Sequence, residues 1–402
     1  MTPHRPRLSG PIMAGILLFL AVWGCGPGKA TPHGPTPTRP AAAPTAEESM
    51  PSPTPVPTSP PSGFETTGGM LEARGNQTAT TLKDGRVLIV GGWTNTTPNN
   101  LLSTAELYDP VTGRFTETGA MNEARTDQTA TLLNDGRVLI AGGFGGPTGT
   151  ALSSAELYNP HTGKFTPTSS MLAPRYYHTA TLLSDGLVLI AGGTNDTSLP
   201  EQSAEMYDPT TGIFFPVGDM KTARFWQTAS LLPSGQVLIA GGCDGRVPLG
   251  SAELFNPVTD TFASTGSLSA SRDFHTATTL RTGLVLIAAG QDVYGNHLSS
   301  AELYDPTAGK FTPTGPLLAG RWSPTATLLG DGRVLFVGGV GKAAYLTSAE
   351  TYDPATGGFT AAGWMTTGRS DHAAALLPNG NVLITGGRAD SIYWSTAEIW
   401  VA

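Results

Sequence analysis

Three histidines, His178, His275 and His372, each stand three residues after an arginine in a recurring phrase. Three imidazoles brought together could ligate a transition metal. Other copies of the phrase carry Gln77, Gln128 and Gln227 in the same slot, an exchange that keeps hydrogen bonding and loses metal affinity. The slot is therefore read as polar and hydrogen-bonding, and no metal site is assigned. Between arginine and slot lie two residues that change from copy to copy: Gly75-Asn76, Thr126-Asp127, Tyr176-Tyr177, Phe225-Trp226, Asp273-Phe274, Trp322-Ser323 and Ser370-Asp371. Aromatic rings with acids and amides nearby can stack on sugar rings and bond their hydroxyls, or can anchor a protein partner. The candidate ligand-binding residues are Tyr176, Tyr177, His178, Phe225, Trp226, Asp273, Phe274, His275, Trp322, Asp371 and His372. Nucleophile-elbow, phosphate-loop and HExxH patterns do not occur, so no catalytic set and no cofactor are assigned.

What positions these residues is a repeat. "DGRVLIVGG" at 84–92 returns six times in variant form, with its last glycine at Gly92, Gly143, Gly193, Gly242, Gly290, Gly339 and Gly387, a period of 48 to 51 residues. Periods of this size mark propellers or solenoids. Within one unit, "QTATLL", "VLIAGG", "SSAELYNP" and "HTGKFTPT" read as four short antiparallel strands. Asp-Gly between the first two suits a tight hairpin, and Asp-Pro-x-Thr-Gly or its variants between the last two combines an Asx turn with a glycine. "VLIA" is apolar without alternation, as a strand buried on both faces must be. Such a unit is a propeller blade. Ala289 replaces the first glycine of the fifth copy while Gly290 remains, so the second glycine is predicted to hold a backbone conformation closed to other residues.

The count of strands predicts how the ring closes. "TAEIWVA" ends the chain without a fourth strand, whereas "GFETTGGM" at 63–70 matches "GRFTETGAM" at 113–121. The N-terminal strand is therefore expected to complete the last blade and remove the exposed sheet edges. The predicted fold is all-β, a seven-bladed propeller of four-stranded antiparallel blades over 63–402. In such a ring alternate blades stand on opposite sides of the axis, which separates the three imidazoles. The repeated arginines (Arg74 to Arg369) and glutamates (Glu106 to Glu398) are expected to pair as scaffold. The loops after each glycine doublet share a face with the variable pairs and add Trp93, Phe144, Cys243-Asp244, Tyr294, Tyr345 and Tyr393-Trp394.

The glycine doublet after an apolar strand, the tyrosine of "ELYDP" and the aromatic after "TG" resemble kelch repeats across 63–402. Kelch propellers host many activities, so the resemblance implies fold more than chemistry. The stretch "RYYHTATLLSDGLVLIAGG" at 175–193 is also similar to galactose oxidase, and that resemblance implies Tyr177 and His178 as copper ligands. The cross-linked tyrosine and the further histidine of that family have no counterpart here, so copper is not assigned.

Ahead of the repeats, 1–25 carries Arg5 and Arg7 and then an apolar run of about thirteen residues, short of the roughly twenty a spanning helix needs. Val22-Trp23-Gly24-Cys25 resembles the bacterial lipobox, which implies lipidation at Cys25. The segment 26–62 is Pro/Thr/Ser-rich and reads as a disordered tether. Two cysteines among 402 residues form no disulfide framework, and a net charge of −8 without a basic stripe argues against nucleic acid. The expectation is an exported, lipid-anchored, monomeric protein of the bacterial envelope that binds a glycan or a protein and meets the membrane only through its anchor; plain secretion is the alternative location. A carbohydrate-active enzyme, whether oxidase, lyase or mutarotase, is the alternative function.

Overall fold

The computed structural model describes residues 63–402 apart from 98–99, 147–148 and 198. The segments read from sequence as a signal and a tether, and the lipidation expected at Cys25, lie outside the described residues. Seven four-stranded antiparallel sheets hold 28 of the 33 strands, and no helix occurs among the described residues. In the third sheet the order is Thr179–Leu182, Val188–Ala191, Ala204–Asp208 and Ile213–Pro216, each strand paired with the next. The first strands of successive sheets stand side by side, and those of the seventh and first sheets are also neighbours, so the innermost layer runs round a central axis.

The second strands are buried along their whole length, from Val87–Val90 to Val382–Thr385, because each is sandwiched between the sheets on either side. Their side chains alternate between two apolar clusters: Leu189 and Ala191 face Val237 and Ile239 of the fourth sheet, whereas Val188 and Ile190 face Leu139 and Ala141 of the second. One such cluster fills each gap between blades, and the gap between the seventh and first is filled by Leu383 and Ala397 against Val87, Ile89 and Met70. Phe64–Thr66 is the outermost strand of the seventh sheet, with Phe64 opposite Trp400 and Thr66 opposite Glu398.

A buried ion pair ties each blade to the segment that enters it. Arg224 donates from Nη1 to the carbonyls of Gly241 and Ser251 and from Nη2 to Ser251 Oγ and Glu253, while Glu253 accepts the backbone N–H groups of Lys221 and Thr222. The same pair recurs as Arg74–Glu106, Arg125–Glu156, Arg175–Glu205, Arg272–Glu302, Arg321–Glu350 and Arg369–Glu398, always within one blade. With a carboxylate and main-chain carbonyls as partners, each guanidinium can be buried without the cost of an unpaired charge.

The glycine doublets lie where each second strand ends. At Gly242 φ is +86°, and a Cβ would come within 2.6 Å of the Phe225 carbonyl oxygen, so only glycine fits. The equivalent approach at Gly290, to the Asp273 carbonyl oxygen, is also 2.6 Å. The position before it is less demanding: Ala289 adopts φ +64°, the ordinary left-handed region. A methyl in this place meets the carbonyl oxygen of the next blade's arginine and also the glutamine or histidine of its slot, as at Gly241, where it would lie 2.7 Å from both the Arg272 oxygen and His275. For Ala289 that slot holds Pro324, the one copy with neither side chain.

Candidate functional site

Because the first strands are innermost, the residues just before them collect at one mouth of the axis. The second residue after each arginine is there in left-handed conformation in all seven blades: Asn76, Asp127, Tyr177, Trp226, Phe274, Ser323 and Asp371, with φ between 50° and 56°. None is glycine. For tyrosine, tryptophan and phenylalanine this backbone is costly, and it persists because the frame on both sides over-determines it. The seven residues form a collar stitched partly by backbone: Asn76 N–H donates to the Asp371 carbonyl at 2.8 Å and Ser323 N–H to that of Phe274 at 2.9 Å.

The left-handed residue also decides which side chains meet solvent. All seven collar side chains are part-exposed, whereas their predecessors, with the exception of Tyr176, are buried. This corrects part of the sequence expectation. Phe225, Asp273 and Trp322 do not line the mouth; they lie beneath it, each bridging by backbone to the segment after the glycine doublet, at Cys243, Gln291 and Val340. His178, His275 and His372 are likewise only 6–7% exposed. They sit between blades, where Nε2 shares a hydrogen bond with Thr129 (3.0 Å), Thr228 (2.9 Å) and Thr325 (2.9 Å) of the preceding blade. Burial, with a neighbouring arginine, pushes each imidazole down to about 3, so all three are neutral at physiological pH. Gln77, Gln128 and Gln227 in the same slot donate to a main-chain carbonyl across the same gap.

The collar divides into two arcs. On one side Tyr177, Trp226 and Phe274 pack in sequence, with ring centroids 5.1 and 4.0 Å apart. The aromatic run continues through Tyr176, Phe144 and Trp93 in one direction and through Trp322 in the other. The other arc is polar. Asn76 Nδ2 donates to Asp127 Oδ1 at 2.6 Å, Arg388 Nε to Asp371 Oδ2 at 2.7 Å, and Ser323 Oγ lies 3.3 Å from Asp371 Oδ1. Burial, reinforced by the Asp371 charge, pushes the Asp127 carboxyl up to about 7 against the hydrogen bond from Asn76. Tyr177 is raised well above the usual phenol value, first by burial and then by the charges of Asp127 and Asp371. Asn76, Asp127 and Ser323, with Arg388 and Trp93, complete the site beyond the candidate list. The signal for the collar members was in the sequence, as the position two beyond each repeated arginine.

The arrangement suits recognition: apolar faces opposite hydrogen-bonding and acidic groups on a rigid frame. It does not suit copper. His178 is committed to Thr129 in a gap between blades, and among the described residues no group of three or more His, Cys, Asp or Glu side chains could hold a metal. The copper ligation of Tyr177 and His178 implied by the galactose oxidase resemblance therefore does not fit these residues.

The kelch motif matches the chain at 74–122, 128–172, 174–221 and 229–269. The molecule is a kelch-repeat β-propeller. Among solved structures it is similar to a fungal alcohol oxidase of the AA5 family in complex with copper, with a TM-score of 0.67 and 18% identity over 84% of this chain and 75% of that one. At this identity the likeness is one of fold. Comparison with curated proteins at the sequence level returns no match.

Proposed function

We propose that this protein is a binding module of the bacterial envelope, exported and held by a lipid at Cys25, which recognises a glycan or a protein at the axial mouth. One observation carries the reading: seven equivalent positions, held in one backbone conformation by an identical frame, bear seven side chains sorted into an aromatic and a polar arc. A structural role alone would favour glycine, asparagine or aspartate at a left-handed position, and three of the seven are large aromatics. The test is a glycan array together with affinity capture from envelope extract, run with the native protein and with Trp226→Ala. Capture or array hits that disappear in the variant support the reading; hits retained in full would refute it.

A second reading, a carbohydrate-active enzyme at the same mouth, is favoured by a specific feature. Asp127 and Asp371 flank Asn76, one with neutral donors as its partners and the other ion-paired to Arg388. Two carboxyls in unlike surroundings are what acid–base chemistry on a sugar uses. Release of reducing ends from an array hit, abolished by Asp127→Asn, would select this reading over binding alone.

A further inference from the structure

Charge at the mouth is unevenly compensated. Asp371 has a guanidinium at 2.7 Å, whereas Asp127 accepts from the neutral Asn76 amide at 2.6 Å. An anionic ligand would meet two carboxyls against one arginine. Across the axis, Tyr177, Trp226 and Phe274 pack against one another with ring centroids 5.1 and 4.0 Å apart, a stack whose rim forms the apolar wall of the mouth. Such a wall suits the apolar C–H side of a saccharide. An independent feature points to the same place: the Trp226 indole N–H is shielded from solvent and has no hydrogen-bond partner, leaving a donor ready for a ligand hydroxyl.

Resting on the glycan branch of the proposed function, we infer that the mouth takes an amino sugar, with its protonated amine at Asp127 and its ring against Trp226 and Phe274. A lysine side chain would satisfy the carboxyl and the rings but has a single polar group. The polar arc spans four blades through Ser323, Asp371, Asn76 and Asp127, and the hydroxyls of a saccharide can use all of it.

The experiment is calorimetric titration at pH 7, where the Asp127 carboxyl is about half ionised, with three probes: a glucosamine tetramer, the N-acetylated tetramer, and Nα-acetyl-lysine methylamide. The native protein is compared with Asp127→Asn and Trp226→Ala. The inference expects the glucosamine tetramer to bind at least about tenfold more tightly than its acetylated form, a single charge-assisted contact being enough for that ratio. Asp127→Asn should remove this preference, bringing the two tetramers to equal affinity, and a thermal melt matching that of the native protein separates this outcome from misfolding. Equal binding of the two tetramers with a silent Asp127→Asn overturns the amine assignment; if Trp226→Ala still abolishes both, the binding face itself stands. Binding of the lysine probe alone, or of none of the three, overturns the amino-sugar assignment.

Discussion

Replacing Arg224 by methionine isolates the contribution of the frame. The substitution keeps the apolar stem and removes five hydrogen bonds: two to the carbonyls of Gly241 and Ser251, one to Ser251 Oγ, one to Glu253 and a longer one from Nε to Thr222. Glu253 is left buried with only the Lys221 and Thr222 N–H groups as partners. Breaking a buried pair from one side costs about 3–5 kcal/mol. With a guanidinium m-value of about 4–6 kcal/mol/M for a chain of this size, the unfolding midpoint followed by tryptophan fluorescence falls by about 0.5–1.2 M. Arg137 is the control, since its pair with Asp135 on the opposite face is a third or more exposed on both sides. Arg137→Met should cost less than about 1 kcal/mol. A shift for Arg224→Met no larger than that for Arg137→Met would refute the assignment of the repeated arginines as the clasp of each blade.

Three further outcomes follow from the same structure. Each buried histidine is neutral when folded and binds a proton in the unfolded chain below about pH 6.5, so stability falls as pH drops from about 6.5 toward 3, by about 1.4 kcal/mol per pH unit per histidine. The triple variant His178→Gln, His275→Gln, His372→Gln, which copies the glutamine slots, should flatten the melting temperature between pH 7 and 5; an unchanged slope contradicts inter-blade burial. Deleting 63–70 removes the strand opposite Trp400 and the buried Met70, so it should cost at least about 3 kcal/mol, and an unaltered melt would show that the N-terminal strand does not complete the seventh blade. Metabolic labelling with an alkyne palmitate should mark the native protein and not Cys25→Ser, and absence of label from the native protein would leave plain secretion as the reading of the N-terminus.

The fold was legible because seven near-copies of one phrase repeat its turns, its buried strand and its arginine–glutamate pair, and physics alike in every copy gives a sheet alike in every copy. The site was legible only in part. Tyr177, Trp226, Phe274 and Asp371 were recognisable as variable positions on one face, yet their neighbours Phe225, Asp273 and Trp322 were equally variable in type. Period-two alternation could not separate them, because the chain passes through a left-handed residue at this point and the parity of the following strand no longer applies. The same turn carries His178, His275 and His372 into the gaps between blades rather than toward the mouth. Their exchange with glutamine was the correct indication of that role. Ala289 shows how a single departure can be read only in three dimensions, since it stands at φ +64° in the one copy whose next blade offers Pro324 in place of a longer polar side chain.

The account turns on the division between a shared frame and a variable collar, and hydrogen–deuterium exchange in the presence of the tightest array hit tests it most directly. Protection should rise in peptides covering 75–77, 126–128, 176–178, 225–227, 273–275, 322–324 and 370–372, and stay unchanged at the turns of the opposite face such as Asp84-Gly85 and Asp135-Gly136. Protection confined to the opposite face, or to the outer strands of the blades, would contradict the account.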